Sequence, residues 1–308
     1  MACFDSFGEA AYYYLKHYKT IALNVAEQKS LAWTEGRDDA ISGNWQLRAA
    51  APERMEGDWS DGKRSLPIVL RRVYADSKGS CTYAADAQMA AFNAPRLEAQ
   101  KIVAKAALFR QRPYVTLSTL GGAVGGLAFP PGEPAMAPIR QRLERRLREE
   151  MSAYFDCSGP GQEYQSSMSI QFWSKTWLTL LESSGGSCGG AHPFYGKEAR
   201  VVEIASGKDV DLWRWFRLAP PRQGEAPPAL NKLILAATYT GDAGCGPALK
   251  ENSSYHVSLS EKGMMFSTSF PHAIQSCDED IVLPYGTVLP FLNERGKAAV
   301  KAIQAAPN

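Results

Sequence analysis

The chain has 308 residues, 45% of them apolar and 21% charged, values ordinary for a globular protein and unlike those of a disordered or membrane-embedded chain. The net charge of +2 removes the electrostatic case for nucleic acid as a principal partner. No apolar run reaches the roughly 18 residues needed for a membrane-spanning helix.

Residues 1–76 read as a β-rich meander. Residues 11–15 are aromatic and β-prone, residues 20–25 alternate, and two Gly-x-Trp units, Gly43-Asn44-Trp45 and Gly57-Asp58-Trp59, sit 14 positions apart. Asp61-Gly62 is a hairpin signal leading into a strand over 65–73. Trp45 and Trp59 are either a stacking platform for sugars or the filling of one face of a small sheet.

Residues 77–112 form a helical connector in this reading. Ala-rich helices are expected over 84–92 and 96–109, with Asn93 as a cap and Pro95 in the first turn of the second helix. Residues 113–164 make a strand plus amphipathic helix subdomain. Its strand covers 113–117. The segment Gly121 to Gly126 has neither phosphate-loop nor dinucleotide-fingerprint spacing and is expected to be a flexible loop. The helix covers 138–155, where Ile139, Leu143, Leu147, Met151 and Phe155 recur at i+4 and arginines interleaved with glutamates fill a solvated face.

Residues 165–308 read as a C-terminal α+β domain. A strand is expected over 168–181 and a second over 199–204, joined through the turn Gly189-Gly190-Ala191-His192-Pro193. A helical turn carrying Trp213 and Trp215 follows, then a proline-rich loop over 219–228 and a helix over 230–237. A hairpin through Glu261-Lys262-Gly263, a strand over 280–285 and closing helices over 287–303 complete the chain. The fold class is therefore α+β: an N-terminal antiparallel β unit, then a mixed region in which an antiparallel sheet packs on helices.

The six cysteines are widely spread and contain no Cys-x-x-Cys pair, a pattern that suits disulfides in an exported protein. Pairing within each unit would join Cys3 to Cys81, Cys157 to Cys188 and Cys245 to Cys277, although spacing by itself fixes no connectivity. Residues 1–5 have no signal-peptide character. A periplasmic or secreted location is expected, with any signal removed or outside this sequence.

The order of Gly-Gly-Ala-His-Pro (189–193), IASGKDVDLWRWF (204–216), YHVSLSEKGMMFS (255–267) and IVLPYGTVLPFL (281–292) resembles a known extracytoplasmic domain. That domain, of unknown function, is shared by RsiV-type lysozyme-sensing anti-sigma factors and PdaC-type peptidoglycan deacetylases. With the smaller unit that precedes it, the resemblance covers about residues 113–303. It implies a non-catalytic domain that binds envelope partners such as lysozyme or peptidoglycan. The chain carries neither the transmembrane and sigma-binding segments of the one group nor the deacetylase domain of the other, so signalling and deacetylation are not implied.

Candidate binding residues are His192 in the Gly-rich turn, the indoles Trp173, Trp177 and Trp213 as a possible glycan groove, and the acidic run Asp278, Glu279 and Asp280 facing a cationic partner. An envelope glycan or ester hydrolase built on His192 or His272 is the competing reading, but no nucleophile-elbow motif accompanies either. Cys188, His192, His272 and Cys277 would make a Cys2His2 zinc set only with reduced thiols, which an exported setting opposes. The expectation is no metal, no cofactor and no catalytic residue.

Overall fold

The computed structural model describes residues 1–4, 9–25, 31–37, 40–73, 87–132, 136–157, 163–188, 192–217, 224–238 and 244–305. The N-terminal strands are β1 (Ala2–Phe4), β2 (Glu9–Tyr12), β3 (Ile21–Val25), β4 (Ala32–Arg37), β5 (Ala40–Ala51), β6 (Arg54–Ser60) and β7 (Ser65–Arg71), each antiparallel to the next. Period-two alternation sets the faces: Gly43, Trp45 and Leu47 are buried while Asn44, Gln46 and Arg48 are exposed. The β6–β7 hairpin turns at Asp61, whose carboxylate accepts the N–H groups of Lys63 and Arg64 at 2.9 and 2.7 Å, with Gly62 at φ +82°. The glycines of the two Gly-x-Trp units make room. A Cβ on Gly43 would lie 2.2 Å from Nε1 of Trp59, and one on Gly57 would lie 1.9 Å from the Gln46 carbonyl oxygen.

The connector differs from the helical expectation. A single helix, α1 (Ala87–Glu98), carries Pro95 inside it, and residues expected to continue as helix to 109 form β8 (Val103–Phe109) instead. The Ala-rich composition favours helix locally, but β8 pairs with β9 (Arg112–Thr119) through a two-residue turn where Arg110 takes φ +56°, and tertiary pairing outweighs propensity. Asn93 is a buried residue of α1, not a cap: its amide donates to Ser152 Oγ at 3.2 Å and its carbonyl oxygen accepts from Arg96.

The central sheet has the order β13-β12-β11-β10-β9-β8, with β10 (Val124–Ala128), β11 (Glu163–Trp173), β12 (Trp177–Ser187) and β13 (Phe194–Glu203). Only β10 and β11 are parallel, and the crossover between them is the helix α2 (Ala137–Asp156). The i+4 stripe Ile139, Leu143, Leu147, Met151 and Phe155 is buried. The glycines of 124–128, expected in a flexible loop, are therefore strand residues. They let α2 approach the sheet, since a Cβ on Gly126 would stand 3.1 Å from Cδ1 of Leu147. Gly126→Val should cost about 1–3 kcal/mol by overpacking this contact, measured as a fall in the urea midpoint; an unchanged midpoint would mean that α2 yields at no cost.

The single strand expected over 168–181 is a hairpin. Ser174 closes its turn: Oγ accepts the N–H groups of Thr176 and Trp177 at 3.2 and 2.9 Å and donates to the Trp177 carbonyl at 3.1 Å. Beyond β13 come a 3-10 turn over 212–215, α3 (Pro228–Ala237), α4 (Gly246–Glu251) and the three-stranded sheet β14 (His256–Leu259), β15 (Gly263–Ser267), β16 (Asp280–Pro284). Helices α5 (Tyr285–Val288) and α6 (Glu294–Ala305) close the chain. These elements share one core with β11 and β13, centred on Trp215, Leu230, Ile234, Leu259, Phe266 and Val300. The architecture is α+β with large antiparallel sheets.

Cys157 is bonded to Cys188 and Cys245 to Cys277. Cys3 is also disulfide-bonded, while Cys81 lies outside the described residues. Bridges of this kind fit a chain that matures in an oxidising compartment. Among the described residues no helix is long and apolar enough to cross a membrane.

Candidate binding site

The meander curves so that its two edge strands, β1 and β7, line the same cavity, whose volume is about 830 Å³. β7 lines the wall along its length, with Leu66, Ile68, Val69 and Leu70 among its apolar contributors; β6 adds Met55 and Trp59, and β1, β2 and β5 add Phe4, Tyr12 and Trp45. Phe92 of α1 closes one side, and Glu53, Arg54, Arg71 and Arg72 are also in the lining. The wall is thus mainly aromatic and aliphatic, with its charges supplied by residues 53–54 and 71–72.

Behind the aromatic wall lies a buried carboxylate. Glu35 on β4 is 7% exposed. Its Oε2 accepts from Tyr12 Oη at 2.7 Å, Trp59 Nε1 at 2.9 Å and Trp45 Nε1 at 3.1 Å, and its Oε1 accepts from Ser42 Oγ at 2.7 Å. Burial alone would raise its pKa, but the four donors outweigh burial and hold the carboxyl below the usual glutamate value. Burial, then the bond to Glu35, pushes the Tyr12 phenol far above its ordinary value. The carboxylate therefore stays ionised while its donors stay protonated, and the rings of Tyr12, Trp45 and Trp59 are fixed in the cavity wall. Tyr12 and Trp45 also touch, with centroids 4.8 Å apart at 54°.

The residues singled out in the C-terminal half sit elsewhere. Trp213 and Trp215 are core side chains, 8% and 1% exposed, and Trp177 packs edge-on against Trp215 at 5.2 Å. Trp173 packs on Phe129 at 4.9 Å under the guanidinium of Arg112. These indoles are divided between two different core clusters among the described residues. The His192 ring lies 5.6 Å from that of His272, whose Nε2 is 2.9 Å from the Pro193 carbonyl oxygen. Residues 189–191 of the Gly-rich turn lie outside the described residues.

Of the acidic run, Asp278 accepts the N–H of Phe270 at 2.7 Å, while Asp280 binds Lys197 at 2.5 Å and accepts from Ser267 at 2.7 Å. The Glu279 carbonyl accepts the N–H of Thr268 at 3.0 Å. The run thus organises the turn into β16. Cys188 and Cys277 are in bridges, so the Cys2His2 set does not form, and no group of three or more metal-ligating side chains occurs among the described residues.

Sequence reasoning missed Glu35. A lone glutamate in Thr34-Glu35-Gly36 carries no motif. Its signal is the alternation that turns Tyr12, Trp45 and Trp59 inward from three strands, and that becomes legible only once the strand register is known.

No protein-family model matches the chain, and no curated protein matches it. Several solved structures align with it, two of which are DUF3298 family proteins. A DUF3298 family protein from Pseudomonas aeruginosa PAO1 shares 18% identity over 63% of this chain and 94% of that one, with a TM-score of 0.39. A DUF3298 family member from Bacteroides fragilis NCTC 9343 shares 13% identity over 67% and 98%, with a TM-score of 0.37. The likeness to RsiV-type and PdaC-type proteins rests on the sequence motifs alone.

Proposed function

We propose that the chain is a non-catalytic, exported binding protein, periplasmic or displayed at the cell surface, that takes an apolar small molecule or acyl chain into the N-terminal cavity. The observation that carries this reading is the cavity itself. Its volume of about 830 Å³ lies within the range of small-molecule sites, and such sites combine a mainly apolar wall with a few placed polar groups. The rigid indoles held by Glu35 supply contact area at little entropic cost. The disulfides support an exported location.

The test is titration with the uncharged fluorophore N-phenylnaphthylamine. Saturable binding at one site per chain is the expected result. Ile68→Trp, which fills the cavity from β7, should weaken it at least about tenfold, equivalent to about 1.4 kcal/mol. Absence of saturable binding, or binding indifferent to Ile68→Trp, overturns the reading. Lysozyme and peptidoglycan remain partners to be assayed by calorimetry. Their support in the sequence was the resemblance, together with the acidic run and the indole cluster; Asp278 and Asp280 are hydrogen-bonded within the fold and Trp177 and Trp213 pack in the core.

A further inference from the structure

The two edges of the central sheet are treated differently. Along β13 and at the residue before it, outward carbonyls are covered by side chains from the neighbouring C-terminal elements. Pro193 O is 2.9 Å from His272 Nε2, Tyr195 O accepts from Gln275 Nε2 at 2.7 Å, and Ala199 O is 2.7 Å from His256 Nε2. Lys197 adds an ion pair to Asp280. This is how proteins block an edge that would otherwise recruit another strand.

The opposite edge, β8, has no such cover among the described residues, and its ladder partner is β9 alone. Its sequence, VAKAALF, has a single charge, and Val103 and Leu108 are 56% and 67% exposed, with Ile102 beside them at 46%. It has no proline, bulge or row of lysines. A strand with these properties pairs readily with another.

We propose that β8 is the homodimer interface of this protein, joining two copies antiparallel about a twofold axis through Ala106 so that the two central sheets become one. The backbone phase is compatible with that axis, and side-chain pairing favours it over an axis through Lys105. The β8–β9 hairpin closes on Phe109 opposite Arg112 across a two-residue turn, and the hydroxyl of Thr116 donates to the carbonyl of Lys105. Odd-numbered residues of β8 therefore direct their backbone groups toward β9, and Ala104, Ala106 and Leu108 direct theirs outward. An axis through Ala106 pairs Ala106 with its own copy, Ala104 with Leu108, Val103 with Phe109, and Lys105 with Ala107. Apart from Lys105 opposite Ala107 the pairs are apolar, and no like charges lie directly opposite each other. Shifting the axis to Lys105 sets two lysines opposite each other, which is destabilising. An isologous contact of this kind closes at two subunits, whereas an uncontrolled edge would aggregate.

The test uses the full chain. Sedimentation equilibrium should show a reversible dimer, and Ala106→Pro should weaken it at least about tenfold. At an outward-facing edge position proline removes the N–H offered to the second copy and leaves the β9 ladder intact. Should Ala106→Pro lose its native circular dichroism, Leu108→Lys serves in its place. The cysteines among the described residues are all bridged, so an added thiol reports the register. Ala106→Cys should form a covalent dimer under mild oxidation, because paired Cα atoms about 5.5 Å apart suit a disulfide, and Leu108→Cys should not. A monomer at all concentrations, or a dimer indifferent to the β8 substitution, overturns the proposal. Capture of an unrelated chain on β8 in place of a second copy overturns it as well. Cross-linking of Leu108→Cys as efficient as that of Ala106→Cys overturns the register.

Discussion

Replacing Arg96 by alanine should lower the stability of the chain by about 4 kcal/mol and split its unfolding into two steps. Arg96 is fully buried. Its guanidinium donates to Asn93 Oδ1 at 3.0 and 2.6 Å, to the Tyr18 carbonyl at 3.1 Å, to Thr20 Oγ1 at 2.6 Å and to Asp156 at 2.7 Å. The rings of Tyr13, Phe92 and Phe155 surround it at 4.9–5.2 Å. Burial draws its pKa down and Asp156 draws it back up, so the charge is retained because it is paired. One side chain thereby joins the β2–β3 connection, α1 and the end of α2. Alanine leaves an aromatic-lined void and strips Asn93 and Thr20 of their donor.

Other contacts between the N-terminal sheet and the rest include Tyr13 Oη to the Phe92 carbonyl at 2.7 Å, Thr20 Oγ1 to Asp156 at 2.9 Å and Lys19 Nζ to the Tyr154 and Cys157 carbonyls at 3.3 Å, none of which ties three elements through one buried group. The N-terminal sheet should therefore melt first, and urea curves read by tryptophan fluorescence and by far-ultraviolet circular dichroism should no longer coincide. Arg96→Lys should recover only part of the loss, because one ammonium cannot reproduce a planar fork bonded on several sides. A single coincident transition within about 1 kcal/mol of the parent would show that Arg96 is not the coupling element.

How much of this was readable in the sequence follows from the distance over which each feature is encoded. The stripe from Ile139 to Phe155 is local, and the helix that it defines is present. So is the alternation through Trp45 and Leu47, together with the Asp61-Gly62 turn. Errors arose where local composition and tertiary context disagree. Residues 103–107 are Ala-rich yet pair as strand, because the turn at Arg110 brings β9 alongside. Gly125 and Gly126 look like a loop but serve the close approach of Leu147. The hairpin between Trp173 and Trp177 was hidden because its turn, Ser174-Lys175-Thr176, holds neither Gly nor Pro, and Ser174 does the work through its hydroxyl.

The candidate site was less legible than the fold for the same reason. Tryptophans cluster in the sequence near 173–215, but they divide between two cores. The cavity instead draws on Phe4, Tyr12, Trp45, Trp59 and Ile68, separated along the chain and collected by strand pairing. Arg96 gave no signal at all: its partners Tyr18, Thr20 and Asp156 are 60 or more residues away in sequence. Burial of a charge is decided by what surrounds it, and single-sequence patterning does not report that.

Glu35→Ala should destabilise the N-terminal sheet by about 3–5 kcal/mol, and acid should weaken the same sheet in the parent protein. Alanine leaves the Tyr12 hydroxyl and the Trp45 and Trp59 N–H groups without their acceptor, each buried orphan costing about 1–3 kcal/mol before relaxation, while the exposed Ser42 hydroxyl keeps the backbone carbonyl of residue 35 at 3.4 Å. Glu35→Gln keeps one oxygen acceptor but places an NH2 group among donors, so it should cost less, about 1.5–3 kcal/mol. The pH dependence follows from the lowered pKa of Glu35 in the folded chain. Its contribution is complete above the pKa of an unfolded glutamate, about 4.3, and is lost as pH falls from there through the folded value. Protonation turns one carboxyl oxygen into a donor within a ring of donors. The parent should therefore lose stability on acidification below about pH 4.3, whereas Glu35→Gln, already lacking the charge, should start lower and fall less over the same interval. Because Trp45 and Trp59 are hydrogen-bonded to this carboxylate, the loss should be visible as a change in indole emission before the helices melt. Parallel acid dependence in parent and Glu35→Gln would place the sensitivity in other carboxylates. It would also remove Glu35 as the residue that holds the cavity wall in place.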